Sequence, residues 1–446
     1  DLKGFGAKSI QQISKGIKFL RRSAGRTRLG TASAIAELMR SMILEMSGVK
    51  RVEYAGSLRR GRETIGDVDL LCIAADPAGT IKQFTELPCV AQVLAAGQTK
   101  GSALFEYRPG RSLQIDLRVV PEESFGAAWQ YFTGSKEHNV RLRERAVKRG
   151  WSLNEYGLTE GERVIAAASE EDIYAALDLP VFPPELREDR GEFDLTEIPP
   201  DLLTVEHIRG DLHMHTTASD GLHTIEEMAV AAKKYGYKYI CITDHSRSST
   251  IANGLSIDRL EQQIEEVHQA NSRIKGITIW AGNEVDILAD GKLDYPDELL
   301  ARLDFVIASI HSSLGRDSET NTRRTITAMQ NPYVNLIGHP TGRLINKREP
   351  MEIDIEAISR EAARTGTALE INASTLRLDL KDTHARLARE LGATICINVD
   401  AHAPDQFAEM HYGVMTARRA GLCRTDILNT RSAGEIIRFV QAKRPK

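Results

Sequence analysis

Seven short apolar runs between residues 209 and 402 each stop at a polar, ligand-capable side chain: RGDLHMH, YICITDH, TIWAGNE, FVIASIH, VNLIGH, TALEIN and TICINVDAH. From about residue 205 these runs alternate strictly with helical stretches. Such alternation implies parallel strands covered by helices. Seven strands predict a distorted seven-stranded (βα)7 barrel, related to the eight-stranded α/β barrel. In barrels of that kind the reactive groups stand at the C-terminal ends of the strands. Six of the seven runs deliver a His, Asp or Glu there.

His213 and His215 are two apart on one strand and so share a face. Asp400 and His402 repeat that spacing on the last strand. His245, Glu284, His311 and His339 end strands in between, and Asp220 follows the first strand in SDG. These nine candidates are six His, two Asp and one Glu, more than one four-coordinate ion needs and suited to two or three. Mixed imidazole and carboxylate donors favour Zn2+, Mn2+ or Fe2+ over Mg2+ alone. Clustered ions of this type bind a phosphate ester and activate water near neutral pH. A lone buried His is more often a satisfied core residue, but six at strand ends, some in i,i+2 pairs, are not lone. His138, His207, His268, His384 and His411 lack this placement and read as ordinary. His223 does too, although its closeness to Asp220 leaves it able to replace or supplement that residue. Asp286, two residues past Glu284, reads as a support for a ligand rather than as a ligand.

A second pattern lies upstream in YAGSLRRGRETIGDVDLLCIA. Asp67 and Asp69 begin an apolar strand on one shared face. In SLQIDLRVV, Leu113, Ile115, Leu117 and Val119 form the apolar face, which aims Asp116 away from the core. Three gathered carboxylates repel one another unless divalent cations sit between them. Oxygen-only donors favour Mg2+ or Mn2+. This is the arrangement of two-metal phosphoryl transfer. Gly56 and Ser57 form a turn that lets backbone N–H groups approach phosphates, and Arg60 is placed to neutralise a triphosphate.

The 446 residues suit two or three domains. With 41% hydrophobic and 27% charged residues the chain has ordinary globular composition, and no apolar run reaches membrane-spanning length. Neither a signal-peptide core nor an initiator Met is present, which points to a start part-way through a longer protein. Five scattered cysteines without a CxxC pair fit a reducing, cytoplasmic compartment. The net charge of −4 argues against wholesale electrostatic binding to nucleic acid. The charge is uneven, however: residues 1–30 and 136–149 are basic patches, and local patches matter most toward a phosphate backbone. Helix is expected over about 32–48, strands near 51–55, 67–75, 103–107 and 112–120, and mostly helix over 121–180 with a short strand or turn around WSLNEYGL. Pro180, Pro183, Pro184, Pro199 and Pro200 mark a linker.

The motifs DLHMHT…SDG, TDHS, GNEVDI, SIHSS, GHP and VDAH closely resemble the PHP (polymerase and histidinol phosphatase) domain over about residues 208–440. The resemblance implies a trinuclear-metal phosphoesterase with all nine ligand positions filled. GSLRRG followed by GDVD, with the later Asp116, resembles the family X DNA polymerases, to which DNA polymerase beta belongs. YFTGSKEHN, WSLNEYGL and PPELRE extend that match to about residue 190. By this resemblance Tyr131 and Phe132 shape the sugar and minor-groove side of a nucleotide pocket, Gly134 and Ser135 form its turn, and Asn139 faces the nascent pair. Lys136 stands where animal members carry an acid, as in bacterial members, and would help hold the incoming nucleotide. LKGFGAKSIQQI resembles a helix–hairpin–helix whose Lys3, Gly4, Gly6 and Lys8 would hold a DNA backbone phosphate. By the same resemblance these residues are expected to begin late within the fingers, without the family's N-terminal lyase region.

The expected organisation is a fingers remnant with the helix–hairpin–helix (1–28), a nucleotidyltransferase palm (29–120), a thumb (121–190), a linker (191–205) and the PHP phosphoesterase (206–446). Such a chain would be a monomeric, nucleoid-associated prokaryotic enzyme acting on gapped or primer-template DNA with dNTPs. It would fill short gaps in repair and process 3′ ends as a 3′–5′ exonuclease. Two other readings suit parts of the pattern. One is a nucleotidyltransferase for RNA ends or small molecules joined to a small-molecule phosphatase, which would need neither helix–hairpin–helix nor basic patches. The other is a DNA-end-binding scaffold, which would need no intact ligand set.

Overall fold

The computed structural model describes Ser14 and residues 25–445. The expected DNA contacts Lys3, Gly4, Gly6 and Lys8 therefore lie outside the described residues. The chain forms two compact units, Asp1–Ile198 and Pro199–Lys446.

In the first unit the helix Leu29–Leu44 buries Leu29, Ala32, Ile35, Ala36, Met39 and Ile43, an i,i+3/i+4 stripe. Beside it lies a five-stranded sheet in the order Val49–Tyr54, Asp67–Ala74, Arg111–Val119, Lys100–Arg108, Val90–Ala96. Asp67–Ala74 and Arg111–Val119 run parallel, and the remaining neighbours are antiparallel. Leu113, Ile115, Leu117 and Val119 are buried, as the alternation predicts. The helix Pro77–Thr85 and the edge strand Val90–Ala96 were not expected. The first carries its own signals, with Asp76 accepting from Gly79 N and Pro77 in the first turn. The second, alanine-containing and exposed along most of its length, is a strand because it pairs with Lys100–Arg108.

Residues 121–180 hold more sheet than expected. The helices Phe125–Thr133, Lys136–Val147 and Glu170–Ala176 surround a three-stranded antiparallel sheet of Ser152–Asn154, Gly157–Glu160 and Arg163–Ala166. Its core includes His138, whose ring nitrogens lie 2.8 Å from Glu192 Oε1 and 2.8 Å from the Tyr174 hydroxyl. The fully buried Arg187 donates to Phe182 O and to both oxygens of Glu170, which also takes two N–H groups of Arg59. Burial alone would raise the Glu170 carboxyl. The two guanidiniums outweigh it and hold the group at about 2. A folded-state value below the ordinary 4.5 means this stabilisation is complete above about pH 4.5 and is lost as pH falls toward 2. It amounts to on the order of 3 kcal/mol. Glu170→Gln is therefore expected to lower the unfolding midpoint at pH 6 and to flatten its acid dependence between pH 5 and 3. Parallel acid curves for the two proteins in denaturant titrations would contradict this.

The boundary between the two units, Ile198–Pro199, falls inside the expected linker 191–205. Glu192 is buried against His138 and accepts from the backbone N–H groups of Asp189 and Arg190. Phe193, Leu195 and Ile198 pack on the core of the first unit. Leu203 is buried in the second unit, where Leu202 bridges to Cys423. Proline keeps regular structure here to the 3-10 turn Glu192–Asp194, and apolar residues on either side of Pro199 and Pro200 each pack on their own unit.

In the second unit seven strands run parallel in sequence order: Gly210–Asp211, Tyr239–Ile242, Thr278–Asp286, Phe305–Ser309, Leu336–Ile337, Ala368–Asn372 and Ile395–Asn398. A Met214–Ala401 bridge brings the last strand to the first. This is the seven-stranded barrel the alternation predicts. Ile240, Ile242, Val306, Ala308, Ile395 and Ile397 face the covering helices. Tyr239, Cys241, Trp280, Phe305, Ile307, Ala368 and Cys396 fill the interior, closed at the strand starts by Ile436 and Val440 of the helix Ala433–Lys443. Counting on by twos along the interior face leads from Phe305 and Ile307 to His311, from Trp280 to Glu284, and from Cys396 to Asp400. One periodicity thus carries each strand from an apolar plug to a polar mouth. Among the described residues no helix is long and apolar enough to cross a membrane.

Candidate functional site

In the first unit, Asp69 pairs in register with Asp116 across the two parallel strands, while Asp67 pairs with Gln114. Period-2 geometry puts Asp67 on the face of Asp69. Burial first, then Asp67 and Asp116, push the Asp69 carboxyl up to about 7. Burial acts the same way on Asp116, but hydrogen bonds from Gln114, Ser102 and Lys100 outweigh it and hold that carboxyl below its ordinary value. Gln114 Nε2 lies 2.9 Å from Asp116 Oδ1, and Lys100 Nζ lies 3.1 Å from Oδ2. A site that strains one carboxyl toward protonation while keeping its neighbour ionised is short of positive charge, which a divalent cation supplies.

Gly56 stands where a Cβ would come 2.1 Å from Asp69 Oδ2, and its φ is +59°. Both facts require glycine there. Gly56 opens a four-residue helix, Gly56–Arg59, that includes Ser57. Arg118, on the Asp116 face, stacks on Phe132 with its guanidinium carbon 4.3 Å from the ring centre. Phe132 in turn meets Tyr131 edge to face at 5.1 Å. These contacts bring Tyr131 and Phe132 beside the carboxylates. Gly134 (φ +66°) follows, and Ser135 Oγ caps the next helix by accepting from His138 N. Lys136 is exposed in the first turn of that helix.

Two expected nucleotide contacts are engaged within the protein. Arg60 donates to Thr133 O and, at 3.0 Å, to Glu188 Oε1. Asn139 donates to Tyr131 O at 2.7 Å and accepts from Gln130 at 2.7 Å. In these positions the two side chains brace the 131–135 turn.

The nine expected ligands of the second unit meet at the barrel mouth. Glu284 Oε1 lies 3.5 Å from His213 Nε2, 3.3 Å from His311 Nε2 and 2.9 Å from His339 Nε2. Its Oε2 lies 2.9 Å from His245 Nδ1 and 3.7 Å from His215 Nε2. Asp400 Oδ1 sits 3.0 Å from His215 Nε2 and 3.6 Å from His213 Nε2. Asp220 Oδ1 sits 3.6 Å from His245 Nε2 and 3.4 Å from His402 Nε2. Among the described residues three overlapping groups could each hold an ion: His215, Asp220, His245 and His402; His213, His215 and Asp400; His245, Glu284 and His311.

The chemistry of these donors fits metal ions. Both Glu284 oxygens, His213 Nε2, His215 Nδ1 and His245 Nδ1 are buried without a hydrogen bond. Orphaned polar atoms in such number would be costly unless a cation satisfied them. Burial pushes the Glu284 carboxyl up, yet His311, His213 and His245 overcome it and hold the group well below its ordinary value. His339 (φ +26°) and Asp400 (φ +61°) sit in backbone conformations unfavourable for side-chain-bearing residues, as functional sites tolerate. Gly338 has no room for a Cβ, which would lie 2.4 Å from Ser309 Oγ. The cluster opens to solvent on one side: the Asp220, His402 and His311 side chains are 35%, 30% and 24% exposed, whereas that of Glu284 is fully buried.

Supporting contacts orient the imidazoles. His311 Nδ1 lies 2.5 Å from Asp286 Oδ1, and His402 Nδ1 lies 2.9 Å from Asp400 O. Asp244 gathers Thr216 N, Thr216 Oγ1 and Ser219, and so holds the loop that carries Asp220. His223 points elsewhere, half-exposed beside Glu227. Sequence reasoning missed Glu370, which lies 2.8 Å from His213 Nδ1 and accepts from His339 N at 2.7 Å. The available signal was its place in TALEIN, two residues before Asn372 and on the same face.

Two family models match the chain: the DNA polymerase beta thumb over residues 128–188 and the PHP domain over residues 211–374. A Bacillus subtilis (strain 168) protein, "DNA polymerase/3'-5' exonuclease PolX", is 40% identical over 99% of this chain and 77% of its own length. The chain belongs to the PolX family. A "Probable phosphatase" of Thermoanaerobacter sp. (strain X514), 33% identical, aligns with 53% of this chain and 96% of its own length. A ternary P/T complex of Leishmania infantum polymerase beta aligns at TM-score 0.34 and 22% identity, over 42% of this chain and 84% of that one. The long PolX match runs through both sites, whereas the phosphatase is about half the length of this chain.

Proposed function

We propose that this PolX-family enzyme extends DNA 3′ ends at Asp67, Asp69 and Asp116 and removes nucleotides from 3′ ends at the barrel cluster. The observation that carries this reading is the pair of polar centres in one chain: three carboxylates on one sheet face, and nine metal-type donors, Glu284 among them, at the barrel mouth. The PolX relative, whose name states both activities, supports it.

At the sheet site Asp67, Asp69 and Asp116 would hold Mg2+ or Mn2+. Bound there, divalent ions lower the barrier to attack by a primer 3′-hydroxyl and neutralise the triphosphate. Lys100 keeps Asp116 ionised, and Gly56 leaves space for the Asp69 carboxyl. The turn at Gly134 and Ser135, with Tyr131 and Phe132, borders the place for the incoming dNTP, and Lys136 lies at its edge. At the barrel mouth the ligands would hold two or three Zn2+, Mn2+ or Fe2+, which polarise a phosphodiester and activate water. Glu370 and Asp286 fix the His213 and His311 rings. The solvent-facing side, at Asp220, His311 and His402, admits the DNA end. A cytoplasmic, nucleoid-associated role in filling short repair gaps fits these chemistries.

A labelled gapped duplex incubated with the full chain and Mn2+ tests the reading. Lengthening is expected with dNTPs, and shortening from the 3′ end without them. A duplex unchanged in both arms would defeat the proposal.

A further inference from the structure

The barrel loops that follow Leu336–Ile337 and Ala368–Asn372 carry Arg343, Lys347, Arg348 and Arg377. Arg377 lies against the cluster, with Nε 3.5 Å from Asp400 Oδ2 and a side chain 17% exposed. Its Nη1 is buried and has no hydrogen-bond partner. A guanidinium presents a planar fork of N–H groups matched to carboxylate or phosphate oxygens, and leaving one buried N–H unused is costly.

The backbone holds Arg377 in this position. Arg343 donates to Arg377 O at 2.8 Å and to Leu378 O at 2.5 Å, and Ile345 N donates to Leu376 O at 2.7 Å. Leu378 is held at φ +42°, a conformation a leucine adopts only under constraint. Asp400 cannot be the final partner of the fork. It already meets His215 Nε2 at 3.0 Å and Asn372 Nδ2 at 3.1 Å, and it belongs to a donor group for a cation. With its charge committed to a cation, Arg377 would face uncompensated positive charge. A phosphate oxygen drawn to the same cations supplies the missing anion.

We infer that Arg377 is the phosphate clamp of the barrel site, gripping a non-bridging oxygen of the phosphodiester brought to the cluster. This rests on the reading of the cluster as a 3′-end nuclease. Burial and then the charge of Arg377 hold the Arg348 guanidinium below its ordinary value, so the two lie within each other's field. Arg348 donates to Gly342 O, and Lys347, exposed on the same loop, continues the positive charge outward, which suits a polyanionic strand more than a lone phosphate monoester.

Arg377→Gln and Arg377→Lys in the full chain test the inference. Three readouts are needed: metal content, the rise in Tm that inorganic phosphate gives the metal-loaded protein, and kcat and KM for removal of a 3′-terminal nucleotide. The Gln variant should keep its metal, lose the phosphate-induced rise in Tm and fall about 10²-fold in kcat/KM. The Lys variant should recover part of both, and primer extension should not change. Metal loss in proportion to activity would make Arg377 a support for Asp400 and overturn the clamp. So would an undiminished phosphate effect on Tm. If the wild type binds phosphate through Arg377 yet trims no DNA, the nuclease reading fails and the clamp stands.

Discussion

Asp116→Asn should reduce primer extension by at least about 10³-fold, or ~4 kcal/mol of transition-state stabilisation, and leave 3′-end trimming near its wild-type rate. The substitution keeps shape and removes charge. Asp116 directly faces Asp69 and is kept ionised by Gln114, Ser102 and Lys100. Asparagine leaves Lys100 beside a neutral group and takes one anionic donor from the site. The measurement is extension of a labelled primer beside trimming of the same strand without dNTPs, with Mg2+ and with Mn2+. Extension within about tenfold of wild type would mean that the three carboxylates are not the metal site.

Glu284→Gln should have the reverse effect. Glu284 reaches five imidazoles, those of His213, His215, His245, His311 and His339, from the fully buried centre of the cluster. Glutamine fits the same space but lacks the charge that balances cations there. Bound metal measured by elemental analysis should fall, and 3′-end hydrolysis should fall by about 10²–10³-fold. Primer extension by the same preparation serves as the control for folding. Unchanged metal content with retained trimming would show that the donors around Glu284 are not the hydrolytic centre.

Both substitutions target residues legible in the sequence, because the signal there is local. Period-2 alternation sets the face of Asp67, Asp69 and Asp116, and the end of an apolar run sets the position of His245, Glu284, His311 and His339. Glu370 escaped because its run ends in Asn372, and its role depends on a partner 157 residues away. The edge strand Val90–Ala96 escaped because pairing, not propensity, makes it a strand. Proline density near the unit boundary conveys only what the chain cannot form, not what it packs against. Burial of Glu192 and Leu203, and packing of the partly buried Phe193, depend on surfaces built by distant segments. Arg60 and Asn139 show a related limit: a motif names the residue, but its contacts depend on neighbours such as Glu188 and Gln130.

The sequence by itself determined the alternation, hence the parallel barrel and the donors at its strand ends, with Asp220 in the loop after the first, because side-chain direction follows from backbone periodicity. It likewise determined the shared face of the carboxylates. Only the tertiary structure decided how those donors group around Glu284, which side of the cluster opens to solvent, and that Arg377 lies beside Asp400. Those properties are distances between strands remote in sequence, set by barrel closure and by loops strapped across its mouth.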